Sequence, residues 1–499
     1  MEMLTYSLSE CGKKPIYRYI YECIKKDILN GTIPSGEKLP SKRSLASNLE
    51  VAVVTIENAY SMLEAEGYIY TVEKKGYYVT EDMRAMFSGG IQAVDGAESE
   101  AGAVLKKTLI TKKIPQSGAN AYSNIVDDKK KNYTYDLTMS SAGRGSFPFD
   151  TWAKLSRRIL LDKEETFTRA PENIGVYELR SAIADYLYEA KGISVSKANI
   201  IIGPGTEYLH HILIQLLGRS SFTAVEDPGY KNVGRIYESN GVRVVHVPVD
   251  QEGMIIDKLP MKGTKLVHVS PSHHFPLGCV MPIGRRQKLL EWADRCDGYV
   301  IEDDYDSELR SDGRPITPLY MMDSRRVIYM NTFTRTLSPS VRIAYMVLPE
   351  KLMSLYNEKL SFYSGTVSGF EQYTLAAFIK EGYYERHIRR MRNLGRKKRS
   401  AFLETLKASN LAKYVSFSED KAGLYMIMET SEEIVQKKFR KILDEKSVKI
   451  TQLGLYCYNS TPQNERKYLL CYGNLDENDM KKIIGIITEA AKMSRMDAK

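Results

Sequence analysis

Two arginines and a group of hydroxyl side chains lie close together in the stretch 332–342. Guanidinium and hydroxyl groups donate hydrogen bonds to anions, and arginine suits the oxygens of a phosphate or a carboxylate. The stretch therefore predicts an anion-binding loop, although Ser, Thr and Arg are also common in loops that meet only solvent. The side chains concerned are Thr332, Thr334, Arg335, Thr336, Ser338, Ser340 and Arg342.

Apolar segments on both sides of this loop predict the elements that hold it. Residues 327–331 and 343–349 are rich in β-branched side chains, which predicts a strand, a loop and a second strand. Further apolar segments, separated by helical patterns, lie at 199–202, 222–225, 242–247, 265–269 and 299–301. Such alternation predicts an α/β fold whose mainly parallel sheet has helices on both faces.

Polar motifs follow several of these strands, where parallel α/β sheets bind ligands. Gly205 and Thr206 belong to a Gly-Pro-Gly-Thr turn before a helix, which could offer N–H groups to a phosphate or be an ordinary turn. Tyr230 follows an Asp-Pro-Gly turn and could equally be a core tyrosine. Asp303 and Tyr305 follow the 299–301 strand and could be ligand groups or exposed loop residues. Their convergence at strand ends predicts one ligand site.

The length of 499 residues indicates two or more domains. No apolar run reaches the roughly 18 residues of a membrane span, and the six cysteines are scattered. We therefore expect a cytoplasmic protein with no membrane association, and neither cysteine spacing nor any other motif predicts a metal site. The net charge of +9 permits a nucleic-acid partner without requiring one.

Residues 14–82 predict a small domain of three helices followed by a two-stranded hairpin. This order is that of a winged helix-turn-helix, whose third helix enters the major groove of DNA. A small α+β domain without a DNA role has the same plan. Residues 1–82 contain ten Lys and Arg against twelve Asp and Glu, so any DNA contact must use clustered basic residues.

Residues 83–135 show no sustained period and predict a flexible linker. Its lysine pairs and its lysine triplet favour a solvated charge run over direct contact with DNA. The linker divides the N-terminal domain from a large domain at 136–499.

The amino-acid sequence of the N-terminal domain resembles that of the GntR-type DNA-binding module over almost its whole length. K-P-I-Y-R-Y-I-Y, L-N-G-T-I-P-S-G-E-K-L-P-S-K-R-S-L-A and E-G-Y-I-Y carry the resemblance. It departs at Ala52 and Val53, where the family commonly has serine and arginine. The resemblance assigns DNA contacts to Ser41, Lys42, Arg43, Thr55, Asn58, Tyr60, Lys75 and Gly76.

The large domain resembles fold-type I aminotransferases in the form found in the MocR/GabR branch of GntR-type regulators. That resemblance implies a small C-terminal α+β subdomain and a pyridoxal phosphate site formed by Gly205, Thr206, Tyr230, Asp303, Tyr305, Thr332, Arg335 and Arg342. The family forms its Schiff base at the position of Arg335, in the motif T-F-S-K-T-L-S-P-S. A guanidinium cannot do so, because its pKa exceeds about 12. The resemblance therefore implies pyridoxal phosphate that is non-covalent or absent, and no catalytic residue.

The arginines that clamp a substrate carboxylate in relatives are also replaced, by Asn232 and Leu469. The resemblance thus predicts a MocR-like transcription regulator that binds operator DNA as a homodimer. Its aminotransferase-like domain would sense an effector, either a form of vitamin B6 or an amine or amino acid. The alternatives are a pyridoxal-phosphate aminotransferase with an accessory DNA-binding domain, and a DNA-binding protein whose large domain only dimerises.

Overall fold

The computed structural model has two compact units, which divide near residue 128. The described residues are 4–7, 11, 15–72, 75–80, 133–138, 147–162, 164–310, 316–418 and 425–496. The predicted linker therefore lies outside the described residues up to residue 132. No helix in the described ranges is long and apolar enough to cross a membrane.

The N-terminal unit contains three helices and an antiparallel hairpin, as predicted. Its elements are α1 (Ile16–Leu29), α2 (Lys42–Asn48), α3 (Val53–Ala65), β1 (Ile69–Val72) and β2 (Gly76–Val79). Ser41 caps α2, since its side chain accepts a hydrogen bond from Ser44 N at 3.1 Å. Apolar side chains at helical spacing, such as Ile20, Ile24 and Ile28 of α1, form the core.

The large unit is built on an eight-stranded sheet. Its strands are β4 (Ile200–Gly203), β5 (Phe222–Asp227), β6 (Arg243–Asp250), β7 (Gly253–Met254), β8 (Thr264–Val269), β9 (Tyr299–Asp303), β10 (Val327–Thr332) and β11 (Ala344–Val347). They lie in the order β4-β11-β10-β9-β8-β5-β6-β7. Only β7 and β11 run antiparallel to their neighbours, so the prediction of a mainly parallel sheet is confirmed.

Helices cover both faces of this sheet. They are α4 (Phe149–Asp162), α5 (Tyr177–Lys191), α6 (Thr206–Leu217), α7 (Lys231–Ser239), α8 (Ile283–Arg295), α9 (Leu319–Met322), α10 (Phe333–Thr336), α11 (Glu350–Lys359), α12 (Gly369–Lys380) and α13 (Tyr383–Lys407). Successive side chains along a strand pack into opposite apolar layers, one on each face of the sheet. Val327 and Tyr329 of β10 pack with α5, α8 and α12, whereas Ile328 and Met330 pack with α6, α7 and α11.

A smaller α+β part completes this unit. It comprises β12 (Val415–Ser418), β13 (Met426–Thr430), α14 (Gln436–Glu445), β14 (Val448–Lys449), β15 (Thr451–Gln452), α15 (Pro462–Glu465), β16 (Lys467–Leu470) and α16 (Glu477–Met493). The strand β3 (Tyr135–Asp136) pairs with β14, and the Tyr133 hydroxyl donates to Asp444 Oδ1 at 2.7 Å. Tyr133 and Tyr135, which precede the predicted start of the large domain at residue 136, therefore contact this part of the large unit.

Candidate ligand pocket and nucleic-acid interface

The carboxyl ends of β4, β5, β8, β9 and β10 meet around a cavity of about 140 Å³. The fold brings the predicted ligand residues together here, because parallel strands end at one edge of the sheet. Seven of the eight predicted residues line the cavity: Thr206, Tyr230, Asp303, Tyr305, Thr332, Arg335 and Arg342. Gly205, the eighth, immediately precedes α6 beside them.

Asp303 presents a buried acceptor to the cavity. It is the last residue of β9, and its Oδ2 lies 3.3 Å from His268 Nε2. Its Oδ1 is buried and has no hydrogen-bond partner among the described residues. His268 Nε2 likewise lacks hydrogen-bond geometry to any described group. An unpaired buried carboxylate oxygen is costly, so it indicates a place for a donor from a ligand.

Tyr305 is held in the cavity wall by a buried histidine. Its hydroxyl lies 3.2 Å from His273 Nδ1, and that nitrogen is 2.8 Å from Asp306 Oδ2. The His273 and Tyr305 rings stack with centroids 5.9 Å apart. These contacts fix the phenol in one orientation. Because His273 and Asp306 are separated by many residues in the chain, no sequence pattern indicated this support.

Glu226, near the end of β5, is a cavity residue that the sequence analysis missed. It follows the apolar pair Ala224 and Val225 of β5, and its side chain is buried and lines the pocket. Burial raises the pKa of its carboxyl to about 8, against a backbone hydrogen bond from Ser270 N that lowers it. Its Oε1 has no described partner. At neutral pH this group is an uncharged acid, able to donate as well as accept.

Glu226→Gln is expected to flatten the pH dependence of stability. The folded-state pKa of about 8 exceeds the ordinary value of 4.5. The stability that the protonated carboxyl contributes is therefore fully present below pH 4.5. It is lost as the pH rises through the folded-state pKa of about 8. Between these two pH values the wild type should lose up to about 5 kcal/mol of stability, and the variant should not lose it. Urea unfolding of both proteins across the window measures this, and parallel profiles would contradict it.

The opposite end of the cavity holds an ion pair. Gly205 adopts φ 103° and precedes α6, so the first N–H groups of the helix face this end. Arg342 Nη2 lies 2.8 Å from Glu207 Oε2. A Cβ on Gly205 would overlap both of these atoms, so the pair lies directly over the start of the helix. Both side chains remain roughly half exposed.

Arg335 lies on the short helix α10, which replaces part of the predicted loop. Thr332 caps this helix by accepting a hydrogen bond from Thr334 N at 3.2 Å. Arg335 is exposed and lines the cavity, close enough to Tyr456 to influence that phenol electrostatically. The guanidinium thus stands at the cavity wall, where it can donate to a ligand oxygen but offers no neutral amine.

Relatives have an arginine that binds the substrate carboxylate at each of two positions, which are Leu469 and Asn232 in this chain. Leu469 is apolar, and Asn232 already makes a hydrogen bond within the protein. Leu469 is buried with Phe275, Tyr305 and Tyr425 in an apolar cluster between the large sheet and the small sheet. Asn232 donates from Nδ2 to the Tyr230 hydroxyl at 3.0 Å. Tyr230 stays 45% exposed, with its ring edge-on to Phe275. A carboxylate at either position would find no bidentate partner from these residues.

The predicted DNA contacts fall into two groups in the N-terminal unit. Ser41, Arg43 and Asn58 are exposed, Thr55 is half-buried, and Lys75 is exposed beside the half-buried Gly76 in the hairpin. These positions suit contact with a duplex. The prediction for Tyr60 is wrong. Its side chain is fully buried and its hydroxyl donates to Pro40 O at 2.9 Å, because it lies on the inward stripe of α3.

Lys42 is engaged within the protein. Its Nζ lies 2.6 Å from Glu57 Oε1 on α3. The exposed start of α3 carries Val53 and Val54, which are 44% and 59% exposed. The face that α3 offers therefore combines apolar and acidic side chains, and Arg43 and Lys75 add accessible positive charge beside it. Apolar side chains at this place can meet thymine methyl groups in a major groove.

Comparison with known proteins accounts for both units. Residues 16–79 match the model of bacterial regulatory proteins of the gntR family, and residues 140–487 match that of aminotransferase class I and II. An uncharacterized HTH-type transcriptional regulator of Bacillus subtilis, YdeL, is 34% identical over 96% of this chain and 97% of its own. The chain belongs to the MocR/GabR-like subfamily of GntR-type transcription regulators.

Other relatives of this MocR-type regulator are also named as regulators. The probable rhizopine catabolism regulatory protein MocR of Rhizobium meliloti is 29% identical over 95% of this chain and 94% of its own. The HTH-type pyridoxine biosynthesis transcriptional regulator PdxR of Corynebacterium glutamicum is 29% identical over 77% of each chain. An archaeal alanine:glyoxylate aminotransferase matches with a TM-score of 0.65 at 21% identity, over 79% of this chain and all of its own. The last likeness concerns the fold alone.

The aminotransferase fold of this MocR-type regulator implies pyridoxal phosphate, and the pocket fits only part of that molecule. The ring end fits, since Asp303 Oδ1 is a buried acceptor for a protonated ring nitrogen. The attachment point does not fit, because Arg335 has no amine. The phosphate end does not fit either, because Arg342 pairs with the Glu207 carboxylate there.

A buried network behind the pocket was also missed from the sequence. Lys191 Nζ, at the end of α5, lies 2.6 Å from Asp304 Oδ2 and 2.8 Å from Glu308 Oε1. The Tyr329 hydroxyl donates to Asp304 Oδ2 at 2.6 Å. Asp304 lies between Asp303 and Tyr305, so the network fixes the segment that carries both ligand groups. A lysine in the last turn of a helix is so ordinary that no pattern singled it out.

Proposed function

We propose that this MocR-type regulator binds a small-molecule effector in the large-domain pocket and carries out no transamination there. The single observation that supports this most is the combination of unsatisfied buried atoms on Asp303 and Glu226 with a guanidinium at position 335. The pocket keeps groups that bind a ligand and lacks the amine that would react with it. The effector is a form of vitamin B6, or an amine or amino acid.

We further propose that the protein acts as a cytoplasmic homodimer on operator DNA. Paired helix-turn-helix modules read two half-sites whose spacing reflects the geometry of the dimer. Effector binding would change the separation of the two modules and so the affinity for the operator. Such coupling is reciprocal, because operator binding must then change effector affinity by the same factor.

The test is operator affinity with and without effector. DNA selected from a random pool by the purified protein supplies the operator. Fluorescence anisotropy then gives its dissociation constant alone and with each of a panel of vitamin B6 forms, amines and amino acids. We expect at least one compound to change the constant about fivefold or more. An unchanged constant across the panel would remove the effector switch and favour a large domain that only dimerises.

The competing function is a pyridoxal-phosphate aminotransferase with an accessory domain. This function requires the wild-type protein, supplied with pyridoxal phosphate, to transfer the amino group of a donor amino acid to an acceptor keto acid. We expect no such transfer above background, because no neutral amine stands at position 335. Turnover that survives purification to homogeneity would favour the enzyme.

Arg43→Ala is expected to weaken DNA binding and reduce its salt dependence. Arg43 is exposed in the first turn of α2. The removal of one phosphate contact reduces the slope of log affinity against log salt concentration by about one. Lys42→Ala should change both quantities less, because Lys42 is already paired with Glu57. Anisotropy titrations over a range of salt concentrations measure the slopes. Equal slopes for wild type and Arg43→Ala would place Arg43 away from the DNA backbone.

A further inference from the structure

We propose that the large-domain pocket selects a phosphate-free heteroaromatic ligand with a protonated ring nitrogen, as in the dephosphorylated forms of vitamin B6. This inference rests on the proposed effector function and narrows the ligand class of the same pocket. Two features carry it. One end of the pocket keeps unsatisfied groups for a ring, and the other end is already filled by an anion of the protein itself.

The internal anion is the carboxylate of Glu207. It lies in the first turn of α6, where free N–H groups and the helix dipole attract negative charge. Its Oε2 and the guanidinium of Arg342 both lie directly over Gly205, at the helix start. The two are 2.8 Å apart. A bound phosphate would need the helix N–H groups and the arginine at this place. The Glu207 carboxylate already lies there, paired with Arg342.

A ligand phosphate would disturb this arrangement. It would bring close to two negative charges against the Glu207 carboxylate. To bind Arg342 it would also have to separate the ion pair, leaving Glu207 beside a like charge. A ligand without phosphate leaves the pair intact. The pair therefore discriminates against phosphorylated ligands by repulsion, which is an effective route to specificity.

The ring end offers three buried atoms that make no hydrogen bond to any described residue. They are Asp303 Oδ1, His268 Nε2 and Glu226 Oε1, and all three residues line the pocket. The side chains of Glu226 and His268 are at least nine-tenths buried. A protonated ring nitrogen can donate to Asp303, while the neutral acid of Glu226 can donate to a ring substituent. Tyr230 exposes enough of its ring to pack against a flat ligand.

Binding at this site is reversible, because Arg335 supplies no amine for a covalent bond. Its guanidinium lines the same pocket and can donate to a ligand hydroxyl or carbonyl oxygen. The site therefore suits a ligand that enters and leaves with its concentration, as an effector must.

Calorimetric titration with pyridoxine and with pyridoxine 5′-phosphate tests the proposal on the full-length protein. The two probes differ only in the phosphate, and neither has an aldehyde that could react with surface lysines. We expect wild type to bind pyridoxine at least as tightly as its phosphate. Glu207→Gln should bind the phosphate about tenfold more tightly than wild type does, with pyridoxine changed less than about twofold. Glu252→Gln, which alters an exposed Arg285-paired glutamate outside the pocket, should match wild type for both probes.

The outcomes separate this inference from the function it rests on. Wild-type preference for the phosphate by tenfold or more would overturn the inference and leave an effector pocket. Equal response of Glu207→Gln and wild type to the phosphate would also overturn it. If neither probe binds either protein, the inference fails, and the operator assay with the amine and amino acid panel decides the proposed function on its own.

Discussion

Replacing Arg335 with lysine is expected to give the protein a covalent site for pyridoxal. A lysine amine can lose its proton and attack an aldehyde, whereas guanidinium keeps its charge with a pKa above about 12. The rest of the ring site is in place, with Asp303 and Tyr305 held at the sheet edge. Proximity in such a pocket raises the effective concentration of the aldehyde well above that met by a surface lysine. Arg335→Lys should therefore be labelled at position 335 at least tenfold more than at its exposed lysines.

Borohydride reduction followed by peptide mass spectrometry measures this labelling. Pyridoxal is the probe, since the Glu207–Arg342 pair disfavours its phosphate. Arg335→Gln is the matched control, because it removes the charge without adding an amine and should show only surface labelling. If the introduced lysine is labelled no more than the exposed lysines, the pocket does not hold the ring near position 335. Labelling of another pocket residue in the wild type would contradict a purely reversible site.

The plan of the large domain and the location of its pocket could be predicted because both depend on local patterns. Apolar runs of strand length alternate with helical patterns, and parallel strands bring their carboxyl ends together whatever the loops contain. Thr206, Asp303 and Arg342 are far apart in sequence, yet each follows or precedes a strand that ends at the same edge. The prediction needed only a mainly parallel sheet, and not the order of its strands.

The pairing of Glu207 with Arg342 could not be predicted, and it changes the ligand that the pocket suits. These residues are 135 positions apart, and their contact depends on the rotamers of two long side chains. In the sequence, Glu207 is simply an acidic residue that follows the Gly-Pro-Gly-Thr turn. Glu226 and His268 were missed for another reason. They lie within buried strands, where a polar residue looks like an interruption of the apolar pattern.

Tyr60 illustrates an error of a different kind. The resemblance assigns it to DNA, although Ile56, Tyr60 and Leu63 are spaced so that they share one face of the helix. In the structure Tyr60 points inward, since its side chain is fully buried. A helix has only one inward face, so helical period was the stronger guide at this position.

Lys191→Met is expected to destabilise the large unit by about 3 to 5 kcal/mol, because it leaves two buried carboxylates without their cation. The Lys191 side chain is 11% exposed. Partial burial lowers the pKa of the ammonium, but Asp304 and Glu308 hold that pKa well above its ordinary value. The pKa of Asp304 is lowered despite its burial, chiefly by Lys191. Methionine fills a similar volume, so the loss comes from charge and hydrogen bonds more than from packing. Urea unfolding of the full-length protein at neutral pH measures it.

Lys288→Met is the matched control, since Lys288 is exposed on α8 and its substitution should change stability by no more than about 0.5 kcal/mol.

The network around Lys191 should also affect ligand binding in the pocket. Asp304 lies between Asp303 and Tyr305, so loss of Lys191 should weaken pyridoxine binding under conditions where the variant remains folded. Lys288→Met should bind pyridoxine like the wild type. A Lys191→Met protein that kept wild-type stability would mean that Asp304 and Glu308 become protonated or find water at little cost. Weakened binding at unchanged stability would instead limit the role of Lys191 to positioning the ligand groups.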